Sequence, residues 1–103
     1  MPKTPAHILF HPEAALEDKE AAAFYAVRNK VAALAFKFDI ARTLFEVAKE
    51  PERAACFEDS PRIRRSVFRH FPFSLFYTAK AEQIFVIAVA HDRRRPGYWK
   101  RRR

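Results

Sequence analysis

The sequence has few of the residues that cross-link a small protein or bend its backbone. It contains one cysteine, Cys56, and one glycine, Gly97, among 103 residues. A single cysteine cannot form an internal disulfide, and no group of Cys and His residues has the spacing of a zinc site. No metal or cofactor is therefore predicted. The fold must be stabilised by packing of the apolar residues, which make up 50% of the chain.

Long apolar runs are also missing. No stretch approaches the roughly 20 apolar residues that a membrane-spanning helix needs, and the opening MPKTPAH lacks the apolar run of a secretory signal. We therefore expect a cytoplasmic protein without membrane contact. Because the chain has the size of one compact domain, a single domain over residues 1–103 is predicted.

Acidic residues are scarce in the second half of the chain. Residues 1–50 contain seven Lys or Arg and seven Asp or Glu, whereas residues 51–103 contain thirteen and five, so the net charge of +8 lies entirely in the second half. Such a one-sided positive field favours association with a polyanion or with an acidic protein. The charge indicates a class of partner and does not by itself identify a function.

The region before Pro51 predicts helix. Pro12 followed by several acidic residues is typical of a helix start, because acidic side chains stabilise the positive end of the helix dipole. Neither Pro nor Gly occurs between Pro12 and Pro51. Pro51 ends the helical region, because a proline disfavours helical angles in the residue before it. Apolar residues recur in alternating steps of three and four, which predicts one buried helical face: Phe24, Val27, Val31, Leu34, Phe38, Ala41, Phe45 and Ala48.

The length of this region predicts two helices. One unbroken helix would form a rod of roughly 57 Å, too long for a domain with a radius of gyration of about 13 Å. A break anywhere from 29 to 38 would satisfy this limit. Asn29-Lys30 is the best local candidate, because Asn is a poor helix former that tolerates the left-handed conformation used at helix ends.

Three strands are predicted after Pro61, where the apolar period changes from 3.6 to 2. Segment 63–68 alternates apolar and basic residues, and the β-rich runs 73–79 and 84–90 are separated by a polar gap at 80–83 that suits a hairpin. The run 84–90 is apolar on both faces and should be the central strand. With the β-type run at 7–10, the order is β-α-α-β-β-β. This order predicts an α+β domain in which two N-terminal helices pack on one face of a small antiparallel sheet.

The tail, HDRRRPGYWKRRR, follows the last predicted strand. It should turn at Pro96-Gly97, because this pair favours a turn. Tyr98 and Trp99 are then expected to lie against the body of the domain.

Four segments of the chain form a distinctive set: the opening strand followed by HPEA, the helix end AKEPE, IRRSVFRHFPFSLFY, and IFVIAVAHDRRRPGYW. In these segments, of which the last two are the most specific, the chain resembles the RelE/ParE toxin superfamily, many members of which are described as plasmid-stabilisation proteins. The resemblance extends along nearly the whole chain and implies a RelE/ParE-like fold. It also implies the toxin of a type II toxin-antitoxin module, which arrests growth when it is free of its cognate antitoxin protein.

Two targets are known in this superfamily, and the fold alone does not choose between them. RelE-like members cut mRNA in the ribosomal A site, and ParE-like members inhibit DNA gyrase. Cleavage without a metal needs a base, an acid and cations that neutralise the phosphorane. For this metal-independent endoribonuclease activity, which we slightly favour, the candidate catalytic residues are His91, Arg94 and Tyr98, which are expected to lie at one end of the sheet. The resemblance adds that Tyr98 stands where RNA-cleaving relatives keep a functional tyrosine.

Two positions depart from the pattern of the RNA-cleaving relatives. Ser74 stands where those relatives carry an arginine on the middle strand, and Asp92 stands near the next expected arginine. A serine cannot replace the planar guanidinium that holds a phosphate. Non-enzymatic inhibition of gyrase therefore stays open as an alternative.

The remaining cations of the second half are predicted to bind nucleic acid or the antitoxin. They are Arg64, Arg65, Arg69, Arg93, Arg95, Lys100 and Arg101, and those of the first sheet strand are expected to converge with the tail at one end of the sheet. Plainer interpretations also stand: a solvated basic surface, a His91 that caps a strand end, and a Tyr98-Trp99 pair that docks the tail. A third hypothesis is a non-toxic, basic nucleic-acid-binding module.

Overall fold

A computed structural model of the protein describes residues 7–58 and 60–102. The elements follow the predicted order, and the α+β fold class is confirmed. They are β1 (His7–Phe10), α1 (Pro12–Arg28), α2 (Lys30–Lys49), β2 (Arg64–Val67), β3 (Phe73–Lys80) and β4 (Gln83–His91).

The helical region breaks at Asn29, as predicted, but for a different local reason. Asn29 has an extended backbone with φ −164° and ψ 118°, not a left-handed one. Its side-chain Oδ1 accepts hydrogen bonds from the backbone N–H groups of Val31 at 2.8 Å and Ala32 at 3.3 Å. Asn29 is therefore the N-cap of α2, since it satisfies donors that a helix start leaves without partners.

The sheet has the strand order β1-β4-β3-β2. Strands β2, β3 and β4 form the predicted antiparallel meander, whereas β1 pairs in parallel with β4, so the sheet as a whole is mixed. β4 is an inner strand, as its apolar sequence predicted. The β3–β4 hairpin has a tight turn in which Ala81 and Glu82 both have positive φ, the geometry of a two-residue type I′ connection.

Both helices cover one face of the sheet, as predicted. Phe36 and Ile40 of α2 are buried here, together with Leu75 of β3 and Val86 of β4. Phe36 is the centre of an aromatic group, with its ring centroid 5.2 Å from that of Phe73. This layer is the main apolar core of the domain.

The tail and the loop after α2 cover the opposite face. Trp99 is 1% exposed, and its ring centroid lies 4.6 Å from that of Phe76 and 5.2 Å from that of Phe57. The chain reaches this position through Gly97, which has a φ of +77° that side chains disfavour. The predicted docking of Trp99 is thus confirmed, and both faces of the sheet are covered.

The predicted buried helical face is wrong. Val27, Val31 and Phe38, which belong to that stripe, are 85%, 73% and 75% exposed. α2 carries a second apolar stripe on its opposite side, and this one packs on the sheet: Ala33, Phe36, Ile40 and Val47. Even so, neither helix in the described part of the chain combines the length and the apolar character needed to span a bilayer.

The buried Asp39 accounts for which stripe faces inwards. The residue is 2% exposed, and its carboxylate accepts hydrogen bonds from three consecutive backbone N–H groups of the β2–β3 turn, those of Arg69 at 3.1 Å, His70 at 2.7 Å and Phe71 at 3.1 Å. The Arg42 guanidinium donates a fourth at 2.8 Å. Turning the other stripe inwards would remove Asp39 from these donors.

Candidate functional site

A single carboxylate of α1 holds the tail on the domain. Glu17 accepts hydrogen bonds from the backbone N–H of Val89 at 3.0 Å, from the Arg102 guanidinium at 2.7 Å and from the Tyr98 hydroxyl. Arg94 completes the group at 3.3 Å. The Glu17 side chain is 10% exposed, so these donors replace the water that the carboxylate would otherwise bind. We call Glu17, Arg94, Tyr98 and Arg102 the tail cluster.

The tail cluster raises the pKa of the Tyr98 phenol. Burial raises the pKa of the Tyr98 phenol above its usual value, and the hydrogen bond to Glu17 and the charge of Glu17 raise it further. Arg94 and Arg102 oppose this shift without cancelling it. The Tyr98 hydroxyl donates its hydrogen bond to Glu17 and is a weaker acid than an unperturbed phenol, which moves it further from the near-neutral pKa that suits proton exchange.

The two arginines of the tail cluster make packing contacts in addition to their ion pairs with Glu17. The Arg94 guanidinium lies 3.7 Å from the centroid of the Tyr98 ring. Arg102 has a side chain that is 13% exposed and also donates to the backbone carbonyl of Ile87 at 3.1 Å. Burial alone would lower the pKa of Arg102, but the hydrogen bond and charge of Glu17 outweigh it and raise that pKa.

Sequence reasoning missed Glu17 and Arg102 as partners. Glu17 was interpreted only as an acidic residue near a helix start, and Arg102 only as one cation of the tail. They are 85 residues apart, and no local pattern links them. The one hint was the predicted return of the tail to the domain.

The two positions that depart from the RNA-cleaving pattern contact each other. Ser74 is 1% exposed, and its hydroxyl donates to the Asp92 carboxylate at 2.8 Å. The Nε of Arg65 donates to the Ser74 hydroxyl at 2.9 Å, and Arg65 also pairs with Asp92 at 3.4 Å. Asp92 therefore offsets the charge of Arg65, which weakens the potential that a phosphate would meet there.

His91 lies beside this network at the end of β4. Its ring packs edge-on to Phe73 with 5.1 Å between centroids, and its Nδ1 accepts from the backbone N–H of Arg93 at 3.1 Å. With Arg65, Arg94 and other residues it lines a cleft of about 90 Å³. This space holds a few water molecules but not a nucleotide.

The other predicted binding residues do not surround one pocket. Arg64 donates to the backbone carbonyls of Glu52 at 2.9 Å and Ala54 at 2.6 Å, so it holds the loop after α2. Arg69 lies on the helical side of the sheet, where it pairs with Glu46 at 3.4 Å. The remaining members belong to the exposed surface of the tail: Arg93, Arg95, Lys100 and Arg101. The expected convergence is limited to Arg65, His91 and Arg94.

A broad basic groove lies between α2 and the edge strand β2. It encloses about 730 Å³ and is lined by five cations and by the acids Glu46 and Glu50. The exposed apolar side chains Phe45 and Val67 form part of its surface. We call it the edge groove, and its cations are Arg42, Lys49, Arg53, Arg65 and Arg69.

The edge groove has the chemistry of a docking surface. Its cations suit carboxylates or phosphates, and its apolar side chains suit a partner with apolar residues between the acidic ones. Arg42 is already bound to Asp39 and Glu46, at 2.8 Å and 2.7 Å, so it shapes the wall of the groove more than it offers charge.

Comparisons with known proteins agree with this architecture. A solved structure of the chromosomal ParDE TA system from P. aeruginosa contains a chain that matches with a TM-score of 0.70 and 18% sequence identity, over 84% of this chain and 95% of that one. At this identity the match shows the shared fold. No curated protein matches the chain in sequence.

A sequence family matches most of the chain. Its description is the ParE toxin of the type II toxin-antitoxin system parDE, and the match extends over residues 8–96. This span includes the six helices and strands of the structure except His7, the first residue of β1, and ends within the tail. The chain therefore belongs to the family of ParE toxins of type II toxin-antitoxin systems.

Proposed function

We propose that this ParE-family toxin arrests growth as a non-enzymatic inhibitor of DNA gyrase in the cytoplasm, and that it does not cut mRNA. The observation that supports this choice is the tail cluster. Tyr98 and Arg94, two of the three residues predicted to catalyse RNA cleavage, are bound to Glu17 and hold the tail in place. A toxin that acts by binding needs a rigid surface and no proton-exchanging side chain.

The Arg65 network supports the same choice. RNA cleavage requires cations around the phosphorane. Asp92 and the Ser74 hydroxyl bind Arg65 here, so an incoming phosphate would have to compete with an internal carboxylate.

The state of arrested cells tests the proposed target. The wild-type chain is induced without antitoxin, and both an SOS reporter and primer extension on abundant messages are followed. The proposal expects growth arrest with SOS induction and intact messages. Purified chain should also inhibit supercoiling by gyrase. Discrete cuts in messages without SOS induction would contradict the proposal and favour the mRNA-cleaving alternative.

We further propose that the cognate antitoxin neutralises the toxin by occupying the edge groove. The groove combines cations with exposed apolar side chains beside an edge strand, so it suits an amphipathic acidic segment. The binding partner used in the test is the protein encoded by a short gene next to the toxin gene. This gene is chosen because the N-terminal half of its product binds DNA.

Charge reversal tests this site with a matched control. The double variant Lys49→Glu/Arg69→Glu should weaken binding of the adjacent gene product at least about tenfold, because two favourable charge contacts become repulsive. Arg93→Glu/Arg95→Glu makes the same change of charge on exposed residues outside the groove and should have a much smaller effect. Equal losses for the two variants would show that only net charge matters and would contradict the assignment.

A further inference from the structure

Three arginines of the tail are exposed and form no ion pair with any carboxylate in the described part of the chain. They are Arg93, Arg95 and Arg101, and we call them the tail arginines. The other cations of the tail in this part of the chain are paired: two belong to the tail cluster, and the Lys100 Nζ lies 3.7 Å from the Glu58 carboxylate. Because no described carboxylate binds the tail arginines, their charge is available to a partner.

The tail holds these arginines on a fixed backbone. It folds into successive turns, in which four N–H groups each donate to the carbonyl three residues earlier: those of Arg94 at 2.9 Å, Tyr98 at 3.3 Å, Lys100 at 3.0 Å and Arg102 at 3.0 Å. The tail cluster and the buried Trp99 fix these turns to the domain. Since the backbone is ordered before a partner arrives, only the arginine side chains lose conformational freedom on binding.

The exposed side chains of the tail lack the apolar component of a protein-binding surface. Within residues 92–101 they are one acid, five cations and Pro96. The edge groove, by contrast, exposes Phe45 and Val67 among its cations. Interfaces with DNA are more polar and much more positively charged than interfaces between proteins. The tail arginines therefore suit phosphates, which a guanidinium binds through two parallel hydrogen bonds.

The aromatic residues of the tail favour a duplex over a single strand. Proteins that bind single-stranded nucleic acid stack its bases on accessible aromatic side chains. Here Trp99 is 1% exposed, and the guanidinium carbons of Arg94 and Arg102 lie 3.7 Å and 5.1 Å from the centroid of the Tyr98 ring. Both rings are thus engaged by the domain itself. Contacts to the phosphate backbone do not depend on base stacking and carry no direct sequence information.

We propose that the tail arginines bind the phosphate backbone of duplex DNA without reading its sequence. The site adds a second contact to the proposed function, on which this step rests: a toxin bound to gyrase also binds the DNA that gyrase holds. Each phosphate that an arginine neutralises releases condensed counterions from the duplex. Three such contacts predict that the logarithm of the association constant falls with the logarithm of the salt concentration with a slope of about −3.

Fluorescence anisotropy tests the DNA site. The purified full-length chain is titrated into a labelled DNA duplex of about 20 base pairs, at salt concentrations from about 50 to 200 mM. The triple variant Arg93→Gln/Arg95→Gln/Arg101→Gln should bind at least about tenfold more weakly at the lowest salt concentration and should lose most of the salt dependence. A duplex of different sequence should bind the wild-type chain within about twofold.

The edge groove provides the matched control. Lys49→Gln/Arg53→Gln/Arg69→Gln removes three charges from this groove, which contains none of the tail arginines, and should leave DNA binding within about threefold of wild type. Trp99 fluorescence verifies that the tail stays docked in each variant. Equal losses for the two triple variants would show that only net charge matters and would overturn the proposal.

Other nucleic acids are tested in the same titration. A single strand or an RNA duplex of the same sequence that binds more tightly than the DNA duplex would overturn the assignment to duplex DNA. Absence of binding to the DNA duplex at about 50 mM salt, where electrostatic contacts are strong, would also overturn it.

The titration contains no gyrase, so the two proposals can fail separately. A chain that binds the duplex through the tail arginines but does not inhibit supercoiling would overturn only the proposed target. A chain that inhibits supercoiling but does not bind the duplex would overturn only the DNA site. With both contacts present, the tail triple variant should inhibit supercoiling at least about threefold less strongly than wild type, because it lacks the second contact. Undiminished inhibition would contradict the contribution of the DNA site to toxin action.

Discussion

The tail cluster and the edge groove both contain arginines and glutamates, yet they use them in opposite ways. In the tail cluster, one buried carboxylate, that of Glu17, accepts from four donors, and the Arg102 side chain is only 13% exposed. In the edge groove, five cations outnumber two acids on an open surface. Arginine therefore holds the fold where a buried carboxylate binds it, as Glu17 binds Arg102 and Asp39 binds Arg42. It is available to a partner where its ion pair is open to solvent, as at Arg69.

The two apolar sides of α2 provide the same comparison for packing. Phe36 is fully buried against the sheet, whereas Phe38, two residues along, is 75% exposed. Phe36→Ala should lower the free energy of unfolding by about 4 kcal/mol, because it leaves a cavity in the core. Phe38→Ala should change it by less than about 0.5 kcal/mol. Urea unfolding of dilute protein measures both, and similar losses would contradict the assignment of the two sides.

The tail cluster should be the next most sensitive region. Glu17→Ala leaves Arg102 and the Val89 N–H without their carboxylate and should destabilise the fold by about 3 kcal/mol. Trp99, the one tryptophan of the chain, belongs to this tail and is buried against the sheet, so its fluorescence should shift to the red if the tail detaches. The control is Glu20→Ala on the same helix, which should cost less than about 0.5 kcal/mol. A Glu17 variant as stable as the control would disprove the anchoring role.

The buried carboxyl group of Asp39 makes the stability of the fold depend on pH. Burial would raise its pKa, but the hydrogen bond from Arg42 and those from the His70 and Arg69 N–H groups outweigh this and lower that pKa below its usual value. A carboxyl group with a depressed pKa stabilises the fold above its unfolded pKa of about 3.9 and loses that contribution as the pH falls through the folded value.

Replacement of Asp39 should therefore have a pH-dependent effect. Asp39→Asn should cost about 2 kcal/mol at pH 7, since it removes the charge that three N–H groups and Arg42 face. The difference from wild type should shrink below about pH 4, because the carboxyl of the unfolded wild-type chain takes up a proton there while the folded one is still ionised. Urea titrations at several pH values measure it. A difference that is constant from pH 7 to pH 3 would assign the effect to shape and not to charge.

The smallest effect on stability is expected in the edge groove. Arg69 and Glu46 are 64% and 48% exposed, so their ion pair is screened by solvent. Arg69→Gln should change the free energy of unfolding by less than about 0.5 kcal/mol. A loss as large as that of Glu17→Ala would show that the groove, too, holds the fold together.

Much of the fold could be predicted because local signals determine it. Pro12 and Pro51 limit the helical region, Asn29 divides it, and the change from period 3.6 to period 2 separates helices from strands. Gly97 permits the return of the tail that buries Trp99. Each of these signals acts through the backbone of a few neighbouring residues, so the sequence is sufficient to locate it.

The choice of the buried side of α2 could not be predicted in the same way. Both apolar stripes satisfy the helical period, and the inner one is distinguished by the hydrogen bonds of Asp39 to a turn 30 to 32 residues away. The site failed to be predicted for a related reason. Glu17 contacts Arg94 and Arg102, and Ser74 contacts Asp92. These residues are far apart in the sequence and come together only when the sheet has formed.

The toxicity of Tyr98→Phe is the measurement that tests the central claim most directly. This variant removes one hydroxyl and leaves the ring, so the tail should stay docked, with Trp99 fluorescence unchanged. If Tyr98 only donates to Glu17, the induced variant should arrest growth and inhibit gyrase supercoiling within about threefold of wild type. A folded Tyr98→Phe protein that has lost its toxicity, while the wild-type chain cuts mRNA, would contradict the account.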